Sequence, residues 1–113
     1  MKERVNNWYL SKKKDWNPVE VVTPRTREKI SFFYDYESDT QYPILQPPNT
    51  HIKVYEYGRR SIWGGEILPI LVVASPYYAL YYDPSMKKVF LFRGKTGISK
   101  AFTFAKNMAN RYN

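Results

Sequence analysis

The clearest periodicity in this chain lies at its end. Ile98, Ala101, Phe102, Ala105, Met108, Ala109 and Tyr112 recur at intervals of three and four, with Lys100, Thr103, Lys106, Asn107 and Asn110 between them. That spacing predicts one amphipathic helix over Ile98 to Arg111, apolar on one side and polar on the other. Thr96 or Ser99 can cap its start, Gly94 and Gly97 make an entry turn, and Arg111 complements the helix dipole at the far end.

Upstream the pattern changes to that of strands. Ile67 to Ala74 is almost continuously apolar, as a central strand buried on both faces requires, and predicts a strand over Glu66 to Ser75. Tyr77 to Tyr82 and Lys87 to Arg93 predict two more, joined by a hairpin turn at Asp83-Pro84-Ser85-Met86 where proline can fix φ. Lys29 to Glu37 alternates, with Ile30, Phe32, Tyr34 and Tyr36 on one face and Ser31, Phe33, Asp35 and Glu37 on the other. His51 to Tyr57 is a further strand, and Val19 to Thr23 is a short edge strand stopped by Pro24. Ser38 to Thr50, with Pro43, Pro47 and Pro48, reads as a loop, and Gly58 to Gly65 as a turn region holding Arg59, Arg60 and Trp63. Trp8 to Pro18 shows neither period and predicts a short strand or turn followed by a loop.

These elements predict an α+β fold: a twisted, mainly antiparallel sheet of about five strands with the C-terminal amphipathic helix packed on one face. The 113 residues suit a single domain over 1–113, of which 1–18 is a basic aromatic N-terminal arm. Eleven Tyr, six Phe and three Trp are more aromatic residues than a disordered chain carries, so folding is expected. The longest uncharged run, Ile67 to Tyr82, is shorter than the roughly 20 residues of a membrane span and is broken by Pro69 and Pro76. The first residues lead into no apolar core, which argues against a secretory signal. A cytoplasmic protein without membrane partners is the expectation.

Charge adds a direction. The net charge is +8, and it is unevenly spread: +4 over residues 1–29, −3 over 30–58 and +7 over 59–113. From Pro84 to Asn113 there are seven basic residues and no acid. Such asymmetry favours a polyanionic partner, DNA or RNA, or an acidic protein surface.

Catalytic chemistry has little to stand on. With no cysteine there is no disulfide, no thiolate nucleophile and no cysteine-held zinc. The single histidine, His51, has no nearby partner in sequence. Asp35, Glu37 and Asp39 alternate and could share a face, which keeps a small metal-dependent nuclease as a third reading, although no matching lysine motif accompanies them. Gly94-Lys95-Thr96-Gly97 resembles the tail of a phosphate loop, but the earlier glycine would fall at Val89. What survives is a helix start with Arg93 and Lys95 beside it, suited to one phosphate. No metal, cofactor or catalytic residue is expected.

Aromatic and basic residues interleave on the strands. Lys88, Phe90 and Phe92 share a face of one strand, and Lys53, Tyr55 and Tyr57 share a face of another. If the helix covers only one side of the sheet, such a face offers rings for bases and cations for phosphates; a second packed layer or a homodimer would use the same residues otherwise. The leading expectation is therefore a non-enzymatic nucleic-acid-binding protein. Lys88, Arg93, Lys95, Lys100 and Lys106 would contact phosphates, Tyr55, Phe90 and Phe92 would stack, and Lys12, Lys13, Lys14, Arg59 and Arg60 would extend the footprint. Lys12 to Lys14 stand between Trp8 and Trp16, and Arg59-Arg60 precedes Trp63. Short length and unusual composition suggest an accessory factor of a virus or mobile element. The alternative is a non-enzymatic inhibitor or adaptor of the anti-defence type, which docks on another protein machine.

Overall fold

A computed structural model of the chain describes residues 2–3, 5, 7–60 and 67–112. The elements are β1 (Lys2–Glu3), α1 (Asn7–Ser11), a 3-10 turn (Lys12–Lys14), β2 (Asn17–Pro18), β3 (Val21–Val22), β4 (Lys29–Ile30) and β5 (Phe32–Asp35). They continue with β6 (Thr40–Pro43), β7 (Leu45–Gln46), β8 (Lys53–Arg60), β9 (Ile67–Ala74), β10 (Tyr78–Asp83), β11 (Lys88–Arg93) and α2 (Gly94–Tyr112). The fold is α+β, and its strands pair antiparallel. The strands do not all join one sheet. Five of them run in the order β1-β11-β10-β9-β8, and the rest form three separate two-stranded ladders, β2-β7, β3-β4 and β5-β6.

The main sheet is buried on both sides, which explains the unbroken apolar run of β9. Ile70, Val72, Ala79, Tyr81 and Phe92 face α2 and pack on Ala101, Ala105 and Ala109. Alternate residues Val73, Tyr78, Leu80, Val89 and Leu91 face the other way, into a core shared with Tyr9, Phe33, Tyr42, Ile44 and Leu45 from the N-terminal half. Small alanines on the buried stripe of α2 let the helix lie close to the strands. Gly97 shows the same tightness: a Cβ there would sit 3.2 Å from the Phe92 carbonyl carbon.

Several elements depart from the sequence-based expectation. The predicted strand Lys29–Glu37 breaks at Ser31 into β4 and β5, each in its own ladder. Of the two alternating faces, the one with Phe33 and Asp35 is turned inward: Phe33 is 3% exposed and Phe32 52%. The deciding contacts are rings, since Phe33 meets Tyr9, Tyr42 and Tyr82. Trp8–Pro18 is largely helical rather than strand and loop. It is anchored by the fully buried Tyr9, whose hydroxyl donates to the Pro43 carbonyl (2.6 Å) and accepts from the Leu45 amide (3.0 Å). That same anchor orders part of the expected loop Ser38–Thr50 as β6 and β7. Finally, α2 begins at Gly94, not Ile98. Gly94 takes φ +75°, so the chain reverses from β11 straight into the helix, and Thr96 and Ser99 lie inside it rather than capping it.

Candidate nucleic-acid interface

The face expected to carry stacking rings is the one the helix covers. Phe92 is 2% exposed and lies beneath α2. Phe90 is half-buried, stacked on Tyr81 (centroids 5.8 Å) and edge-on to Phe104 (5.6 Å). Phe92 is closed to a base, which corrects its expected role, and Phe90 already has two rings packed against it. Tyr55, at the sheet edge, is 39% exposed but already packs edge-on against Phe102 of the helix at 4.9 Å. The sequence shows that these residues share a face; it does not show which layer lies on it.

Arg59 is also reassigned. It is 2% exposed, with Nε 3.4 Å from Oδ2 of the wholly buried Asp83, and its Nη2 donates to Ser85 Oγ at 2.6 Å. Asp83 additionally accepts from Ser85 Oγ, the Met86 amide and Tyr81 Oη. This cluster ties β8 to the β10–β11 turn, and Arg59 is a core residue. The side chain of Arg60 and the segment with Trp63 lie outside the described residues.

Asp35 is buried and accepts from the Glu37 amide at 3.1 Å, closing the turn before Glu37 and Asp39. Among the described residues no three His, Asp or Glu side chains come together as a metal would require. Nor is any helix among them long and apolar enough to cross a membrane.

The structure assembles another aromatic and basic site. Trp8 from α1, Trp16 before β2 and Tyr77 before β10 line a cavity of about 740 Å³, with Pro47 and Pro48 as a wall and Lys12 and Arg93 at its margin. Gly94, the first residue of α2, completes it. The volume falls in the usual range of ligand sites. Trp16 is fixed from behind by stacking on Tyr78 (5.7 Å, 14° between planes) and edge-on by Trp8 at 5.8 Å. Tyr78 is itself pinned through its hydroxyl to the Leu45 carbonyl. Burial raises the hydroxyl pKa of both Tyr9 and Tyr78 well above the ordinary value, so both support the groove as neutral donors. Tyr77, at 54% exposure and 6.0 Å from Trp16, offers the open ring.

The cations of the groove are held in place by its rings. Lys12 Nζ stands 5.3 Å from Trp8 and 5.5 Å from Trp16, and the Arg93 guanidinium stands 5.1 Å from Trp8. At an exposed site such contacts contribute about 0.5–1 kcal/mol. A charge-assisted hydrogen bond to an anion contributes about 1.5–3 kcal/mol.

Of the other expected contacts, Lys13 and Lys14 are exposed beside Lys12 on the 3-10 turn, and Lys88 is half-buried on β11. Lys95, Lys100 and Lys106 are exposed along α2. The lysine triplet with its two tryptophans carried a visible signal; Tyr77, Pro47 and Pro48 carried none, because their role exists only once the chain is folded. Compared with protein-family models, with curated proteins and with solved structures, the chain matches none.

Proposed function

We propose that this protein binds nucleic acid, taking an unpaired base of DNA or RNA into the Trp8–Trp16–Tyr77 groove and the adjoining phosphates on Lys12 and Arg93. One observation carries the reading: segments some eighty residues apart in sequence bring three rings and two cations to one open cavity beside a helix start. Rings with cations among them suit a strand that alternates flat bases and charged phosphates. The net charge of +8 supports it, and the reading needs no catalytic group. In this proposal the protein is an accessory factor of a virus or mobile element, acting in the host cytoplasm.

The test is fluorescence anisotropy with labelled single- and double-stranded DNA and RNA, at low and near-physiological salt. Binding should weaken log-linearly with salt. Tyr77→Ala, at an exposed position, should cost about 1–3 kcal/mol of single-strand affinity, roughly 5- to 150-fold in Kd. Absence of binding to all four ligands at low salt overturns the proposal. That result would leave the second reading, an inhibitor or adaptor docking on a protein, which the exposed rings of Phe32 and Tyr36 favour because the groove makes no use of them.

A further inference from the structure

The solvent face of α2 has an order that solubility does not require. No acidic residue occurs anywhere in the helix, and its four cations are Lys95, Lys100, Lys106 and Arg111. Lys95 and Lys106 are eleven residues apart, and so are Lys100 and Arg111. Eleven residues carry an α-helix through about three turns and roughly 16 Å of rise, so each pair lies on a line parallel to the axis. The five-residue offset sets the two lines about 140° apart. Between them stand Thr96, Ser99, Thr103, Asn107 and Asn110, all exposed and all neutral hydrogen-bonding residues. The remaining arc is closed against the sheet by Ala101, Ala105 and Ala109.

From this we infer that the outer face of α2 lies in the major groove of a B-form DNA duplex, with one line of cations on each phosphate wall. A major groove about 12 Å wide admits an α-helix, whose diameter with side chains is about 10–12 Å. A helix so placed meets phosphates on both flanks and base edges along its centre. The two cationic lines match the flanks. The central asparagines can pair bidentately with adenine, and the hydroxyls can donate to or accept from either strand. The competing account is that the lysine stems merely lie along the margin of the apolar face with their heads in water. That account gives no reason for the absence of acids or for the matched eleven-residue intervals. The inference rests on the nucleic-acid reading but uses a surface separate from the aromatic groove.

The experiment measures binding of the full chain to a labelled 20-base-pair DNA duplex, an RNA duplex of the same sequence and the single strand, across a salt series. Variants K95A/K106A and K100A/R111A each remove one line. R25A/K29A removes the same charge from exposed positions of the N-terminal half outside the proposed footprint, and far-UV circular dichroism checks the helix in all three. Each line variant should lower the salt slope on duplex DNA by about 2, at about 0.9 per phosphate contact, and the control by much less. Duplex DNA should be preferred to duplex RNA about tenfold or more, because side chains cannot read the deep, narrow A-form major groove. Asn107→Ala should leave the slope unchanged and flatten differences between DNA sequences. RNA duplex bound as tightly as DNA, or line variants losing no more than the control, overturns the inference. Tyr77→Ala separates the two proposals. If only the helix surface fails, single-strand binding remains and stays sensitive to Tyr77→Ala; if only the groove fails, duplex binding remains and stays sensitive to the line variants.

Discussion

Removing the carboxylate of Asp83 tests whether Arg59 belongs to the core. Asp83 is fully buried, Arg59 is 2% exposed, and their charges stand 3.4 Å apart. Asp83→Asn keeps the shape and an oxygen able to accept from Ser85 and the Met86 amide, but removes the negative charge that Asp83 sets beside the buried guanidinium. Breaking a buried pair from one side costs about 3–5 kcal/mol. The retained hydrogen bonds place this variant near the lower end, at about 3 kcal/mol. Arg59→Met should cost slightly less, about 2–3 kcal/mol, because Tyr81, Ser85 and Met86 still donate to the carboxylate. The double variant should cost about 2 kcal/mol less than the sum of the two, since it strands neither charge. Urea unfolding reads all four corners of the cycle. With m of roughly 1–3 kcal/mol per molar, a loss of 3 kcal/mol moves the midpoint by about 1–3 M at constant m. A cost below about 1 kcal/mol for Asp83→Asn, or additivity within about 0.5 kcal/mol, refutes the argument. Folded Arg59→Met should bind oligonucleotides nearly as the parent does.

Stability should be flat through neutral pH and fall from about pH 10 upward. Burial raises the hydroxyls of Tyr9 and Tyr78 above their unfolded value of 10.0, so the unfolded chain loses those protons first. Each then contributes a loss of about 1.4 kcal/mol per pH unit, measurable by urea titration in alkaline buffers. Tyr9→Phe should remove one such contribution. It should also cost about 1–3 kcal/mol at neutral pH, by leaving the Leu45 amide and Pro43 carbonyl without their partner; an unchanged alkaline slope would contradict the assignment. Gly97→Ala should destabilise by about 1 kcal/mol despite alanine's better helix propensity, because its Cβ meets Phe92 backbone that has no room to yield. A thermal melt at or above that of the parent would show that α2 sits less tightly than drawn.

The C-terminal half was legible because its elements are regular and buried in a regular way. The uninterrupted run of β9 and the three-four spacing of α2 each follow from one physical demand, burial on both faces or on one stripe. The N-terminal half was illegible for the opposite reason. α1 buries one residue, Tyr9, and a single anchor leaves no period to read. β5 alternates as its sequence does, but which of its faces turns inward is decided by ring contacts of Phe33 with Tyr9 and Tyr82, partners far along the chain. Local pattern also could not distinguish Arg59, buried against Asp83, from Lys95, open to water.

The same distinction decides where a ligand can go. Interleaved rings and cations on β11 suggested an open sheet, but a sheet with a helix on one face and a folded N-terminal half on the other has no open face. Under the proposed function, binding falls to what those two layers leave uncovered. At the junction between them, where β11 turns into α2 at Gly94, the layers do not close, and the gap is the groove lined by Trp8, Trp16 and Tyr77. On the outside of the helix layer, the residues that cannot be buried are also those with the acid-free basic pattern. Arg93 and Lys95, on either side of Gly94, stand where these two surfaces meet. In the proposed reading Arg93 and Lys95 remain the phosphate contacts at the foot of the helix, and the rings beside them come from Trp8, Trp16 and Tyr77 rather than from β11.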